Sequence, residues 1–259
     1  MNSLLVRAAD KYQRMMTRYL HRRMIKLHTS APIISFSFDD APRTAFINGG
    51  DILNKYEIGA TFYVSLGMLS ADSPSGIIAS QTDLRRALEE GHELGCHTFD
   101  HKHPRETNTK LFVESVIKNR EVLSQILPEA TFETLAYPIC GPRPTTKQRI
   151  GELFRCCRGG GQNFNCKETD LNLLKAFFLD VRNGDSLDTI RRLIDKNAES
   201  LGWLIFATHD IDYNPSLYGC SKEFFKKVVA HAANSGALLL PVGKACEHLQ
   251  AGDEIKYTP

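Results

Sequence analysis

Gly91-His92-Glu93-Leu94-Gly95-Cys96-His97-Thr98-Phe99-Asp100-His101-Lys102-His103 holds four of the nine histidines in a chain of 259 residues. Its apolar run 93–96 reads as a strand, and the residues beyond Cys96 read as a loop. His97 and His101, four apart at the end of that strand, are placed to converge on one point. Two neutral imidazoles and one carboxylate make a metal site of the open, catalytic kind, with positions left for water. The carboxylate comes from a second stretch, Ser35-Phe36-Ser37-Phe38-Asp39-Asp40, where an apolar strand ends in adjacent acids. For either stretch alone the plain alternative is a polar surface loop, because short motifs match by chance.

Outward from these two stretches, strands and helices alternate. Runs rich in β-branched and aromatic residues predict strands at 33–38, 60–64, 134–137, 177–179, 203–208 and 237–242, besides 93–96. Helices are expected at 51–56, 109–127, 145–154, 186–200, 222–233 and near 244–249. Another begins after Ser80-Gln81-Thr82-Asp83, which fits a capping box, and Gly91 stops it. Pro128 closes the 109–127 helix and Pro144 opens the next. Seven β/α units with no Ser/Gly linker predict an α/β chain folded as one parallel barrel or closed sheet. Asp39-Asp40, His97, Asp180 and His209 each fall just beyond the end of a predicted strand. In parallel barrels that rim is where active sites are assembled.

Composition bounds the function. With 42% apolar residues the chain can bury a sizeable core, so disorder is excluded. Residues 1–28 hold seven of the 32 Lys/Arg and one of the 30 Asp/Glu, leaving 25 against 29, a net −4, for the rest. The body therefore lacks the basic stripe that nucleic acid would want. Within 2–27, Leu5, Ala8, Tyr12, Met15, Met16, Tyr19, Leu20, Met24 and Leu27 recur at helical spacing, with Lys/Arg on the other faces. This predicts a basic amphipathic helix over 1–30, ahead of a catalytic domain at 31–259. Its apolar stripe packs on the domain or a second subunit, or lies on an anionic membrane surface. Seven scattered cysteines without CxxC argue against a zinc knuckle and for a reducing compartment. With no secretory or membrane-spanning run, a cytoplasmic location is expected.

The motifs resemble those of the polysaccharide deacetylases of the NodB-homology type, carbohydrate esterase family four. The family's TFDD appears as Ser37-Phe38-Asp39-Asp40, and its H-S/T-x-x-H as His97-Thr98-Phe99-Asp100-His101. A hydrophobic strand ending in histidine appears as Leu204-Ile205-Phe206-Ala207-Thr208-His209, and Asp180 is a looser match to a fourth motif. The third motif departs: Leu135-Ala136-Tyr137-Pro138-Ile139-Cys140-Gly141-Pro142 is similar to an F-A-Y-P-x-G variant and lacks the arginine that usually orients the catalytic aspartate. Arg143 and Arg158 are its possible substitutes. The resemblance implies a distorted (β/α)7-type parallel barrel and a metal-dependent hydrolase removing an N-acetyl or other acyl group from an amino-sugar oligosaccharide, polysaccharide or sugar-lipid.

It also implies roles. Asp40, His97 and His101 would hold a divalent metal, expected to be Zn²⁺, that acidifies water and polarises the carbonyl. Asp39 would be the general base. A backbone N–H near Tyr137–Ile139 would meet the oxyanion, so Tyr137 and Ile139 are the substrate-binding candidates. His209 would protonate the leaving amine while Asp180 holds its imidazole. Each has a plainer reading: a helix cap for Asp39, the Asn183-Gly184 turn for Asp180, a core histidine for His209. A non-catalytic carbohydrate-binding relative, or a deacylase of a non-sugar amide or ester, is the competing function.

Overall fold

The structure is a computed structural model that describes residues 12–13, 15–184, 186–251 and 256–257. Its centre is strand β1 (Ile33–Phe38), all six residues of which are buried. A run this apolar is stable only where both faces are covered, as in a parallel sheet wrapped by helices. Strands β2 (Thr61–Val64), β3 (Glu93–Cys96), β4 (Thr134–Ala136), β5 (Cys156–Arg158), β6 (Phe177–Phe178) and β7 (Trp203–Thr208) complete a parallel sheet in the order β6-β7-β1-β2-β3-β4-β5. β7 runs beside β1 along its whole length, from Trp203↔Ile33 to Thr208↔Phe38. The other edge of β1 is divided: β2 takes Ser37 and Phe38, while β8 (Leu238–Leu239) takes Ile33 and Ile34.

The two outer strands approach each other through residues 171–176. Leu174 N–H donates to Cys157 O, and Gly159 N–H to Leu174 O, just before the chain enters β6. The result is a distorted (β/α) barrel with no long free edge. Helices cover its outside: α1 (Gln81–Glu89), α2 (Thr109–Ile126), α3 (Pro144–Gly151), α4 (Leu187–Glu199), α5 (Lys222–Ala233) and α6 (Val242–Gln250). The Ser80/Asp83 capping box opens α1 as the sequence predicts. The helix expected at 51–56 begins earlier, as a π-helical turn Ala45–Gly50 running into Asp51–Asn54. Phe46, Phe62 and Phe38 stack there at centroid spacings of 4.0 and 4.8 Å, fixing that turn over the ends of β1 and β2.

The helix expected through residue 27 is corrected. The described part is helical only at 12–13 and 15–19; His21 takes φ +50, and Arg23–Lys26 is a strand antiparallel to Glu168–Asp170. Residues 1–11 and 14 lie outside the described residues. The helix ends because Lys147 on α3, fully buried, donates Nζ to the carbonyls of Thr17 and Leu20 at 2.8 and 2.9 Å. Those are orphan groups of a helix end, and a lysine there satisfies them. Lys147 also pairs with Asp170 at 2.6 Å. Arg23 then caps the carbonyls of Phe154 and Arg155. Tertiary partners have overridden the helical period. Lys147→Met should cost ~3–5 kcal/mol in denaturant unfolding, because it strands the Asp170 carboxylate without its partner. A loss under ~1 kcal/mol would mean the pair is dispensable.

No helix among the described residues is long and apolar enough to cross a membrane. Tyr12, Met15 and Tyr19, part of the predicted stripe, are exposed rather than packed on the body.

Candidate metal centre

Three loops meet above the C-terminal end of the sheet. The turn after β1 places Asp40 at φ +57, a left-handed conformation that Asp tolerates better than most residues. β3 ends beside His97, and the loop beyond turns back through Thr98 (φ +63) and His101 (φ +51). That loop is clamped from outside: Ser115 of α2 donates to Asp100, Lys102 pairs with Asp100 at 2.8 Å, and Lys102 N–H donates to Thr98 Oγ1. Buried Asn119 of α2 accepts from Leu66 N–H and donates to Val64 O, fixing the end of β2 beside it.

The ring Nε2 atoms of His97 and His101 lie 3.4 and 3.1 Å from Asp40 Oδ1, and one ligand atom from each residue falls within 4.8 Å of the others. His97 Nδ1 is 2.9 Å from the carbonyl of Ala136, which can only accept. The Nδ1 proton is therefore fixed and the Nε2 lone pair is left for a cation, the usual outer-sphere device at metal histidines. Asp40 Oδ1 is buried with no hydrogen-bond partner among the described residues. An orphaned carboxylate oxygen between two imidazole nitrogens fits a divalent cation, and two nitrogens with one oxygen suit Zn²⁺ or Co²⁺. Burial works to raise the Asp40 carboxyl pKa, but both histidines outweigh it and hold it far below the ordinary range.

Asp39, 5% exposed, does not cap a helix. It pairs with the guanidinium of Arg158, which is 1% exposed at the end of β5 and also donates to Gly159 O. Burial works to raise the Asp39 pKa, but Arg158 first, then His97 and His209, keep it lowered and the group ionised. Of the two arginines offered in place of the one the third motif lacks, Arg158 is the one that contacts Asp39. Arg143, the other candidate, donates to Arg105 O at the start of α3 and is not at the site.

His209 is placed as expected, with Nε2 3.9 Å from Asp40 Oδ2, but its orienting partner differs. Its Nδ1 is 3.1 Å from the carbonyl of Tyr218, so that nitrogen carries the proton. The rings of Tyr218 and Phe178 flank it at 5.5 and 6.5 Å. Asp180, expected to hold His209, instead accepts from the Asn183 N–H and amide and from Arg182. It closes the 180–184 turn, the plainer of its two readings. Asp210, which sequence reasoning passed over, accepts from Ser216 N–H and its hydroxyl, and so shapes the loop that presents Tyr218 O.

The substrate-binding pair divides. Tyr137 is buried, and its N–H is spent on Arg158 O within the sheet, so it offers no oxyanion donor. Ile139 is 66% exposed at φ +61, a costly conformation for a β-branched residue. Cys140 N–H turns back to Pro138 O, which leaves the N–H of Ile139 as the one within 137–140 without an acceptor among the described residues.

Residues 26–153 match the family model described as polysaccharide deacetylase. The chain is 31% identical over 91 residues to the peptidoglycan-N-acetylglucosamine deacetylase PgdA of Listeria monocytogenes, a stretch covering 35% of this chain and 18% of that protein. It is 28% identical over 111 residues to the chitooligosaccharide deacetylase of Sinorhizobium fredii, covering 42% and 48%. The chain thus spans less than half of the length of these curated relatives. Among solved structures, the chitin deacetylase of Colletotrichum lindemuthianum superposes with TM-score 0.59 at 18% identity, over 85% of this chain and 89% of that one. A family 4 acetyl xylan esterase of Clostridium thermocellum in complex with a cobalt ion gives 0.57 at 17% identity, over 85% and 92%. At such identities these two establish the fold.

Proposed function

The chain belongs to the polysaccharide deacetylase family through residues 26–153, and from that premise we propose that it is a metal-dependent hydrolase removing an N-acetyl group from an amino-sugar substrate. The observation that carries this is the ionised Asp39–Arg158 pair beside the trio Asp40, His97 and His101, with His209 facing it. A binding-only relative has no use for a buried, arginine-held carboxylate next to metal ligands.

Asp40 Oδ1 and the Nε2 atoms of His97 and His101 would hold the cation, which when bound supplies a more acidic water and a polarised acyl carbonyl. Asp39 takes the proton of the attacking water as its oxygen bonds to the acyl carbon. Arg158 fixes the carboxylate's direction and keeps it unprotonated at neutral pH. The Ile139 N–H meets the charge developing on the acyl oxygen. Amide nitrogen is a poor leaving group, so His209, acting as the doubly protonated ring with its Nδ1–H held by Tyr218 O, gives its Nε2 proton to that nitrogen as the C–N bond breaks, and the proton taken up by Asp39 leaves with the products. Acetate and a free amine result, and one water is consumed.

The test is acetate release from N-acetylglucosamine oligomers by zinc-loaded protein, with free amine counted in parallel. Equal appearance of both establishes the reaction; neither appearing, with metal bound one per chain, would refute this substrate class.

A further inference from the structure

A cavity of about 770 Å³ opens beside the centre, within the size range of sites that enclose whole small ligands. It touches the reacting groups through Arg158, which holds Asp39, and Phe178, which flanks His209. Its far wall comes from the N-terminal segment, and its charge is one-sided. Arg18, Arg22, Arg105 and Lys175 line it against Glu168 and Asp170. Asp170 is already neutralised by Lys147. Arg18, Arg22 and Lys175 make no side-chain ion pair or hydrogen bond among the described residues, and Arg22 Nε is buried without a partner. The run Gly159-Gly160-Gly161 also lines it. The N–H groups of Gly160 and Gly161 have no acceptor among the described residues. Backbone N–H groups left free in an irregular glycine run are available to donate to an anion.

We infer that this cavity binds a phosphate group carried by the amino-sugar substrate, seated by Arg22, Lys175 and the 159–161 backbone while the acyl group lies at Asp39. The inference rests on the deacylase reading above. Three cations without an ionic partner among the described residues, set against Glu168, exceed what a neutral sugar needs. Donors arriving from the helix at 15–19, from Lys175 and from the glycine run suit the several oxygens of a phosphate better than the two of a carboxylate. Fork-shaped guanidinium donors serve the same end.

The experiment is calorimetric titration of the full chain with N-acetylglucosamine 1-phosphate, N-acetylglucosamine and N-acetylmuramic acid. It reads binding without turnover, so its failure is separable from failure to release acetate. The phosphate probe should bind about tenfold tighter than N-acetylglucosamine, with N-acetylmuramic acid well behind it. The Arg22→Gln/Lys175→Gln double variant should lose that preference at unchanged Tm, and Lys175→Gln alone, at an exposed position, should lose part of it. Equal affinity for all three probes overturns the inference. So does a preference that survives the double variant, since the phosphate would then sit on the metal. Flotation with phosphatidylcholine vesicles, with and without phosphatidylglycerol, separates the two sources. Variant-sensitive binding that needs the anionic lipid puts the phosphate on a membrane carrier. A sugar-phosphate preference without vesicle binding puts it on a soluble saccharide.

Discussion

Asp39→Asn should bind metal one per chain, as the unaltered protein does, and lower kcat by ~10²–10⁴, the range expected for removing a positioned general base. KM should move little, because the substitution keeps the shape and still offers Arg158 an acceptor. Metal content by mass spectrometry and initial rates of acetate release decide it. A kcat within tenfold of the parent would remove Asp39 as the base and leave Arg158 as a structural partner only. Loss of metal would instead make Asp39 a ligand, although it stands outside the cluster of Asp40, His97 and His101.

His97→Ala has the second large effect, on metal rather than on rate. Disturbing an outer-sphere partner of a metal histidine costs 10–100-fold in affinity, so losing the imidazole itself should cost more than ~100-fold. Equilibrium dialysis measures the loss directly. The rise in Tm that a tight ligand produces by mass action should vanish with it. His97 is fully buried, so the truncation also opens a void; His97→Gln keeps most of the volume and controls for that. Full metal occupancy in both variants would overturn the ligand assignment.

How much of the molecule is legible in its sequence depends on how strongly each element is written. β1 and β7 are six-residue apolar runs, buried on both faces, and their ends could be located to the residue. The carboxylates and histidines at those ends could be read as one site because the parallel register carries every strand's end to the same rim. Cys156-Cys157-Arg158 was not readable as a strand. Three residues show no period, and an arginine argues against a buried position until its acid partner is known. That acid, Asp39, lies 119 residues away in sequence, so Arg158 remained one of two candidates. Asp180 and His209 shared the rim but not a hydrogen bond, since the 180–184 turn claimed the carboxylate first. Helical spacing through residue 27 was real in sequence, yet the buried Lys147 closed the helix at Thr17 and Leu20, and the strand Glu168–Asp170 offered 23–26 better partners.

The ion pair of Lys147 with Asp170 has a bearing on where this protein can be cut. Composition divides the chain near residue 30, basic before and acidic after. Yet the stretch from Thr17 to Lys26 supplies one wall of the cavity and the lid over Lys147. A chain begun at residue 31 would leave the edge of Glu168–Asp170 unpaired, the carbonyls of Phe154 and Arg155 uncapped, and a buried lysine facing water. The seam visible in the charge is therefore not a seam in the architecture. The basic segment is part of the wall of the cavity beside the Asp40, His97 and His101 trio, and a test of the proposed specificity starts there.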